Sequence, residues 1–259
     1  MPMGEFPALT CAAGDTGVAR PGSPPLVLLH GWACDRTVWS PVRDALARDR
    51  ELVALDLPGH GSSTRRVREW RVAGFAQLVA QAIEDLGLRE PVLIGHSLGG
   101  AIALEAASRL AGGAAGVIMV DTFLFDYGRL PPARVRRFMI PFRRNLAKAI
   151  GTMVEDMAAG CEDRSWVPAQ VAQMSRTAPD VALAALESLF NWDPAPAFAA
   201  ARMPVYWVSG RLVDPVARRR YAALIRGETL IEAGHFPMLE SGGAFVGAVR
   251  GCLDAISAP

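Results

Sequence analysis

The chain reads as an α/β protein: a mostly parallel sheet covered by helices on both faces. Three observations predict this. Short apolar runs alternate with stretches of helical periodicity, the pattern of βα units. The runs end in turns rich in Gly, His and Asp, and the strand ends of such sheets are where ligands bind. One segment, 124–196, breaks the alternation with helical pattern alone and is too long for a βα loop.

Taken in order, the predicted strands are Leu26–Leu29, Leu52–Leu55, Val92–Ile94, Val117–Val120, Val205–Val208 and Glu228–Ile231. Most are continuous apolar runs, as expected of strands buried on both faces. Helices are expected at about 37–48, 71–87, 98–111, 215–225 and 240–255. The first twenty residues are expected to form an antiparallel hairpin turning at Gly14-Asp15. In 124–196 the residues Val135, Phe138, Met139, Phe142, Leu146, Ala149, Ile150, Met153 and Met157 recur at spacings of three and four. That spacing gives one apolar face, on a helix that Pro141 should bend. A second helical stretch covers about 168–190. The organisation is therefore a core of 1–123 and 197–259, with 124–196 as a helical cap (lid) inserted after the strand at about 116–121.

The chain has 259 residues, 51% hydrophobic and 20% charged, with a net charge of +1. This is enough to bury a substantial core, and no global field favours nucleic acid. Cys11, Cys34, Cys161 and Cys252 are scattered and form no C-x-x-C pair, so neither zinc nor redox motifs are expected. Scattered thiols and an N-terminus without a basic and apolar leader suggest a cytoplasmic protein. No apolar run is long enough for a membrane span.

Chemistry concentrates at Gly95-His96-Ser97-Leu98-Gly99, between a strand and a helix. This is the G-x-S-x-G context that exposes a nucleophilic serine on a tight turn. A serine hydroxyl needs an imidazole to take its proton. His235, after the last strand in Ala233-Gly234-His235-Phe236-Pro237, is the best candidate. His30 and His60 are expected to organise turns, and the His96 side chain to point away from Ser97. The base in turn needs a carboxylate to fix its tautomer. Asp214, in Ser209-Gly210-Arg211-Leu212-Val213-Asp214-Pro215, is the preferred acid, and Asp121, at the end of the preceding strand, is the alternative. The backbone amides of Trp32 and Leu98 are candidate oxyanion donors. No metal or organic cofactor is required.

Leu28-Leu29-His30-Gly31-Trp32, Asp56-Leu57-Pro58-Gly59-His60-Gly61, Gly95-His96-Ser97-Leu98-Gly99-Gly100 and Ala233-Gly234-His235-Phe236-Pro237 resemble the α/β-hydrolase superfamily. The resemblance spans about 20–255 apart from the cap. It implies the α/β-hydrolase fold and a Ser97-His235-acid triad, in the serine branch that includes esterases, thioesterases and lactonases. One departure stands out. The acid of the family usually follows the strand-end glycine by three residues, and here Val213 holds that place. This keeps Asp121 in contention.

Specificity should lie in the cap. Phe138, Met139, Phe142, Met153 and Met157 are candidate pocket residues or core packing. The cap also carries Arg129, Arg134, Arg136, Arg137, Arg143, Arg144 and Lys148. The expected reaction is hydrolysis of small or medium apolar acyl esters. The alternative is an ester or thioester tethered to an anionic carrier protein or coenzyme A, steered by the basic cap. For that alternative, the basic cap and His30-Gly31-Trp32 are similar to pimeloyl-carrier-protein methyl ester esterases. A ligand-binding protein on a hydrolase fold, with little turnover, is the reading from another class.

Overall fold

The computed structural model describes residues 11–13, 22–65 and 67–258, with the backbone alone for 11–13. Seven strands form one sheet: β1 (Cys11–Ala13), β2 (Leu26–Leu29), β3 (Leu52–Leu55), β4 (Val92–His96), β5 (Gly116–Val120), β6 (Val205–Ser209) and β7 (Gly227–Leu230). Their order across the sheet is β1-β3-β2-β4-β5-β6-β7. All neighbours from β3 to β7 run parallel, and β1 lies antiparallel on β3 at one edge. The expected turn at Gly14-Asp15 lies outside the described residues. Every residue of β2, β3, β4 and β5 is buried, which is why these strands read as unbroken apolar runs.

The helices before the fifth strand are α1 (Ser40–Ala47), α2 (Val72–Asp85) and α3 (Leu98–Ala107). In α2 the buried residues Val72, Phe75, Ala76, Val79, Ala80 and Ile83 follow helical spacing. Between β5 and β6 lie α4 (Pro132–Arg144), α5 (Leu146–Met157), α6 (Val167–Met174), α7 (Pro179–Phe190) and α8 (Ala195–Ala200). The chain closes with α9 (Pro215–Tyr221), α10 (Pro237–Glu240) and α11 (Gly242–Ser257). None of the described helices is long and apolar enough to cross a membrane.

Two details of the helical segment differ from expectation. The break between α4 and α5 falls at Asn145, not at Pro141, which sits inside α4. Asn145 is extended, and its side chain accepts from the Lys148 amide at 3.0 Å, so it starts a new helix as an N-cap. The stretch 168–190 is two helices. Pro179 holds Ala178 extended (φ −56°, ψ 134°) and takes the first position of α7.

Candidate active site

Register brings the key positions together. His96 on β4 pairs with Val120 on β5, so Ser97 and Asp121 leave adjacent strands side by side. The Ser97 amide donates to the Val120 carbonyl at 2.8 Å, and the Asp121 amide to the Val208 carbonyl at 2.9 Å. Ser97 has φ 52° and ψ −118° and is 5% exposed. Among the described residues only Ala33, Glu90, Ser97 and Asp121 combine a side chain with positive φ. Three of these four border the site. Each such conformation costs about 1–3 kcal/mol, which the surrounding packing must hold.

His235 is tied down on every side. Its Nδ1–H donates to Asp121 Oδ2 at 2.6 Å. The other carboxylate oxygen of Asp121 accepts from the Gly210 amide at 2.9 Å. With Nδ1 carrying the proton, Nε2 of His235 is left as the acceptor. The carboxylate of Glu240 accepts from the amides on both sides of His235, Gly234 at 2.5 Å and Phe236 at 2.8 Å. From beneath, His96 Nε2–H donates to the His235 carbonyl at 2.7 Å. Burial holds the His96 pKa well below its ordinary value, so this ring is neutral and fit for that single donation.

Gly31 brings the turn after β2 against Ser97. A Cβ there would lie 2.7 Å from His96 Nδ1 and 3.4 Å from the Ser97 Cβ. Trp32 follows directly, and Leu98 begins α3 directly after Ser97, where the first-turn amides have no intrahelical partner. His30 and His60 brace the turns behind them. The Leu57 amide donates to His30 Nε2 at 2.9 Å, His30 Nδ1–H donates to the Gly31 carbonyl at 2.8 Å, and His60 Nδ1–H donates to the Pro58 carbonyl at 2.9 Å.

Ser97 and His235 line one cavity of about 40 Å³, together with Trp32, Phe125, Phe138, Met153, Met157 and Phe190. That volume holds a water or two. An open groove of about 1320 Å³ lies outside it, between α4 and α5, and shares the wall of Leu124, Phe125, Phe138, Met153 and Met157. The groove is rimmed by Arg134, Arg137, Arg144 and Lys148, with Asp156 as its acidic member.

Residues 26–248 match the model of the alpha/beta hydrolase family. The chain belongs to that family. Pimeloyl-[acyl-carrier protein] methyl ester esterase of Stenotrophomonas maltophilia is similar to this hydrolase-family chain. In one strain the two are 29% identical over 249 residues, covering 90% of this chain and 94% of the relative. Over 86 residues the chain is also 38% identical to the dihydrolipoyllysine-residue acetyltransferase component of the acetoin cleaving system of Pseudomonas putida. That match spans 33% of this chain and 23% of the other. Among solved structures, the bromoperoxidase from Bacillus anthracis superposes with a TM-score of 0.82 at 18% identity, over 94% of each chain, and so shares the fold.

The sequence expectation for the acid needs correction. The carboxylate at His235 in this hydrolase-family chain is Asp121. Asp214 instead caps α9, with its side chain accepting from the Val216 and Ala217 amides at 2.7 and 3.0 Å. Of the expected pocket residues, Phe138, Met153 and Met157 line the Ser97 cavity. Phe142 lines the outer groove and meets Trp32 edge-on at 5.6 Å. Met139 lines neither. It lies one residue beyond Phe138, about 100° round the helix, and is buried in the core. Among the described residues, Arg129 is ion-paired with Asp193 and Arg143 with Glu187. The sequence reading missed His96 as the anchor of the His235 loop, because a ring expected to point away from Ser97 has no visible partner in the sequence. It also missed Phe125 and Phe190, whose rings pack on Phe138 at 5.5 and 4.8 Å. They lie outside the periodic apolar stripe of α4 and α5.

Proposed function

We propose that the chain is a serine esterase that works through an acyl-enzyme, with Ser97 as nucleophile, His235 as base and Asp121 as the orienting acid. The observation that carries the reading is the 2.6 Å bond from His235 Nδ1 to Asp121, in a cavity that His235 shares with the strained Ser97. In the proposed reaction Ser97 Oγ attacks the ester carbonyl carbon as His235 Nε2 takes its proton. The carbonyl oxygen becomes an oxyanion held by the amides of Trp32 and Leu98. Collapse breaks the carbon–oxygen bond to the alcohol, which leaves with the proton from His235. A water, deprotonated by the same imidazole, then attacks the acyl-enzyme and releases the acid and Ser97. The helical segment 124–196 acts as the cap, and substrate displaces the Phe138, Met153 and Met157 wall to enter, since unbranched methionines repack at low cost.

Carrier-protein-linked esters are the substrates favoured by two observations: the similarity to a pimeloyl-[acyl-carrier protein] methyl ester esterase along most of both chains, and the basic rim of the groove behind that wall. Ser97→Ala is expected to abolish hydrolysis of p-nitrophenyl butyrate and labelling by a fluorophosphonate. Full retained activity would disprove the assignment. Carrier-linked esters should lose rate steeply with added salt while small esters do not, and equal salt responses would remove the carrier.

A further inference from the structure

The turn that presents the Trp32 amide is held less by the sheet than by the helices above it. Its own backbone closure is the Cys34 amide on the Gly31 carbonyl at 3.2 Å, with Ala33 left-handed at φ 56°. This is the signature of a type II turn with alanine where glycine is usual. Every other partner of residues 32–34 among these hydrogen bonds comes from α6, α7 or the turn between them. The Trp32 indole N–H donates to the Ala182 carbonyl at 2.7 Å. The Ala33 carbonyl accepts from Thr177 Oγ1 at 3.0 Å and from Gln173 Nε2 at 3.4 Å. Gln170 Nε2 donates to Gln173 Oε1 at 3.0 Å and to Cys34 Sγ at 3.4 Å. Gln170, Gln173 and Thr177 are all more than nine-tenths buried. Burying three polar side chains costs free energy unless each is bonded, and here their bonds converge on one strained turn.

We propose that Thr177 and Gln173 are positioning residues for the oxyanion site, holding the Ala33 carbonyl and thereby aiming the Trp32 N–H, so that the site is complete only when α6 and α7 are seated. The inference rests on the Ser97 reading above. Peptide units are rigid planes, so holding the Ala33 carbonyl also holds the Cys34 amide of the same plane, and that amide holds the Gly31 carbonyl, whose plane carries the Trp32 N–H. Gly31 is anchored by His30 Nδ1–H and the Cys34 amide, both on its carbonyl. Without the two donors, Ala33 is free to relax from the left-handed region, which swings the Cys34 amide off the Gly31 carbonyl and lets the plane that carries the Trp32 N–H turn away from the developing charge. The ester ground state needs that amide far less than the tetrahedral state does, so the loss should fall on kcat.

The test uses Thr177→Val, which keeps the shape and removes the donor, with p-nitrophenyl acetate as substrate and phenylboronic acid as a tetrahedral analogue. Rates are normalised to active sites and measured well below the melting temperature. The expected result is a fall in kcat of about tenfold, less than the loss of an oxyanion donor itself, with KM within twofold and boronate affinity weakened in parallel. Thr177→Ser should restore all three. Gln173→Met, at the longer bond, should shift them less in the same direction, and it carries the test alone if Thr177→Val does not fold. Unchanged kcat and boronate affinity in foldable variants, or a change in KM or stability alone, would overturn the inference. If Ser97→Ala is inactive in that case, the parent reading survives. An active Ser97→Ala removes both.

Discussion

At the scale of single residues, the two aspartates separate cleanly by what their oxygens accept. Asp121 is 1% exposed and spends one oxygen on the Gly210 amide and the other on His235. Asp214 spends its bonds on the first turn of a helix. Asp121→Asn keeps the shape and can present an amide N–H to Nδ1, which forces the His235 proton onto Nε2 and removes the base. Its kcat should fall by about 10⁴, as for the equivalent change in a serine protease triad. Asp214→Ala should leave kcat within a few-fold and lower stability by about 1 kcal/mol, the usual loss of an N-cap. Steady-state kinetics and urea denaturation of the two variants decide it, and a dead Asp214→Ala with a competent Asp121→Asn would reverse the assignment. The sequence reading preferred Asp214, but chain order does not separate the two acids, because both lie between Ser97 and His235. One local signal did favour the outcome: Asp214 is followed by Pro215, the pairing of an N-cap with proline at the first helical position. Asp121 follows the last strand residue directly.

Whole elements were more legible than their contacts. The six parallel strands fall within one or two residues of their expected bounds; β2 to β5 are fully buried and so must be apolar on both faces, whereas the edge strand β7 is partly exposed. Helix ends and the packing of 132–190 were less legible. An apolar stripe says that a face is buried but not against what, so Phe138 and Met139 look alike in sequence and part company in space. Glycines show the same contrast. In α3, a Cβ on Gly99 would lie 2.5 Å from the His30 carbonyl oxygen, a backbone atom that cannot step aside. Gly247 and Gly251 in α11 are exposed and meet nothing within 4 Å. Gly99→Ala should cost about 1–3 kcal/mol by overpacking and displace the turn that carries Ser97, with loss of activity. Gly247→Ala should stabilise by about 0.5–1 kcal/mol through helix propensity, with activity unchanged. Thermal melts and ester hydrolysis of the two variants should therefore move in opposite senses for stability and diverge for rate. A stable, active Gly99→Ala would show that α3 can slide from the sheet.

For the whole molecule, three neutral histidines tie stability to pH. Burial lowers the pKa of His30 and His96, and pushes His60 down to about 3. His30 needs an unprotonated ring nitrogen for its bond, and among the described residues the second ring nitrogens of His60 and His96 are buried with no partner for an added proton. His30 Nε2 accepts from the Leu57 amide, His60 serves Pro58, and His96 serves the His235 loop. In the unfolded chain all three titrate near the ordinary value of 6.5. Below that pH the unfolded state binds protons that the folded state refuses, so stability falls as pH falls. The decline starts near pH 6.5 and, for His60, continues to about 3. Each ring contributes a slope of up to about 1.4 kcal/mol per pH unit. Three together can remove about 4 kcal/mol over one unit, a large share of a typical net stability of about 5–15 kcal/mol. The chain should therefore lose its fold cooperatively in mild acid, with the melting temperature dropping steadily from pH 6.5 to 4.5. His60→Gln leaves an amide donor beside the Pro58 carbonyl and removes one titrating group. Its stability at pH 7 is expected to be lower through lost packing on Phe75, which the native ring meets at 6.1 Å. Its slope of stability against pH should nevertheless be shallower by up to one proton. Calorimetry of both proteins across this range measures that difference directly. A melting temperature that is flat down to pH 4.5, or a slope unaltered in His60→Gln, would mean that the buried rings take up protons in the folded state and that the turns they brace tolerate the charge.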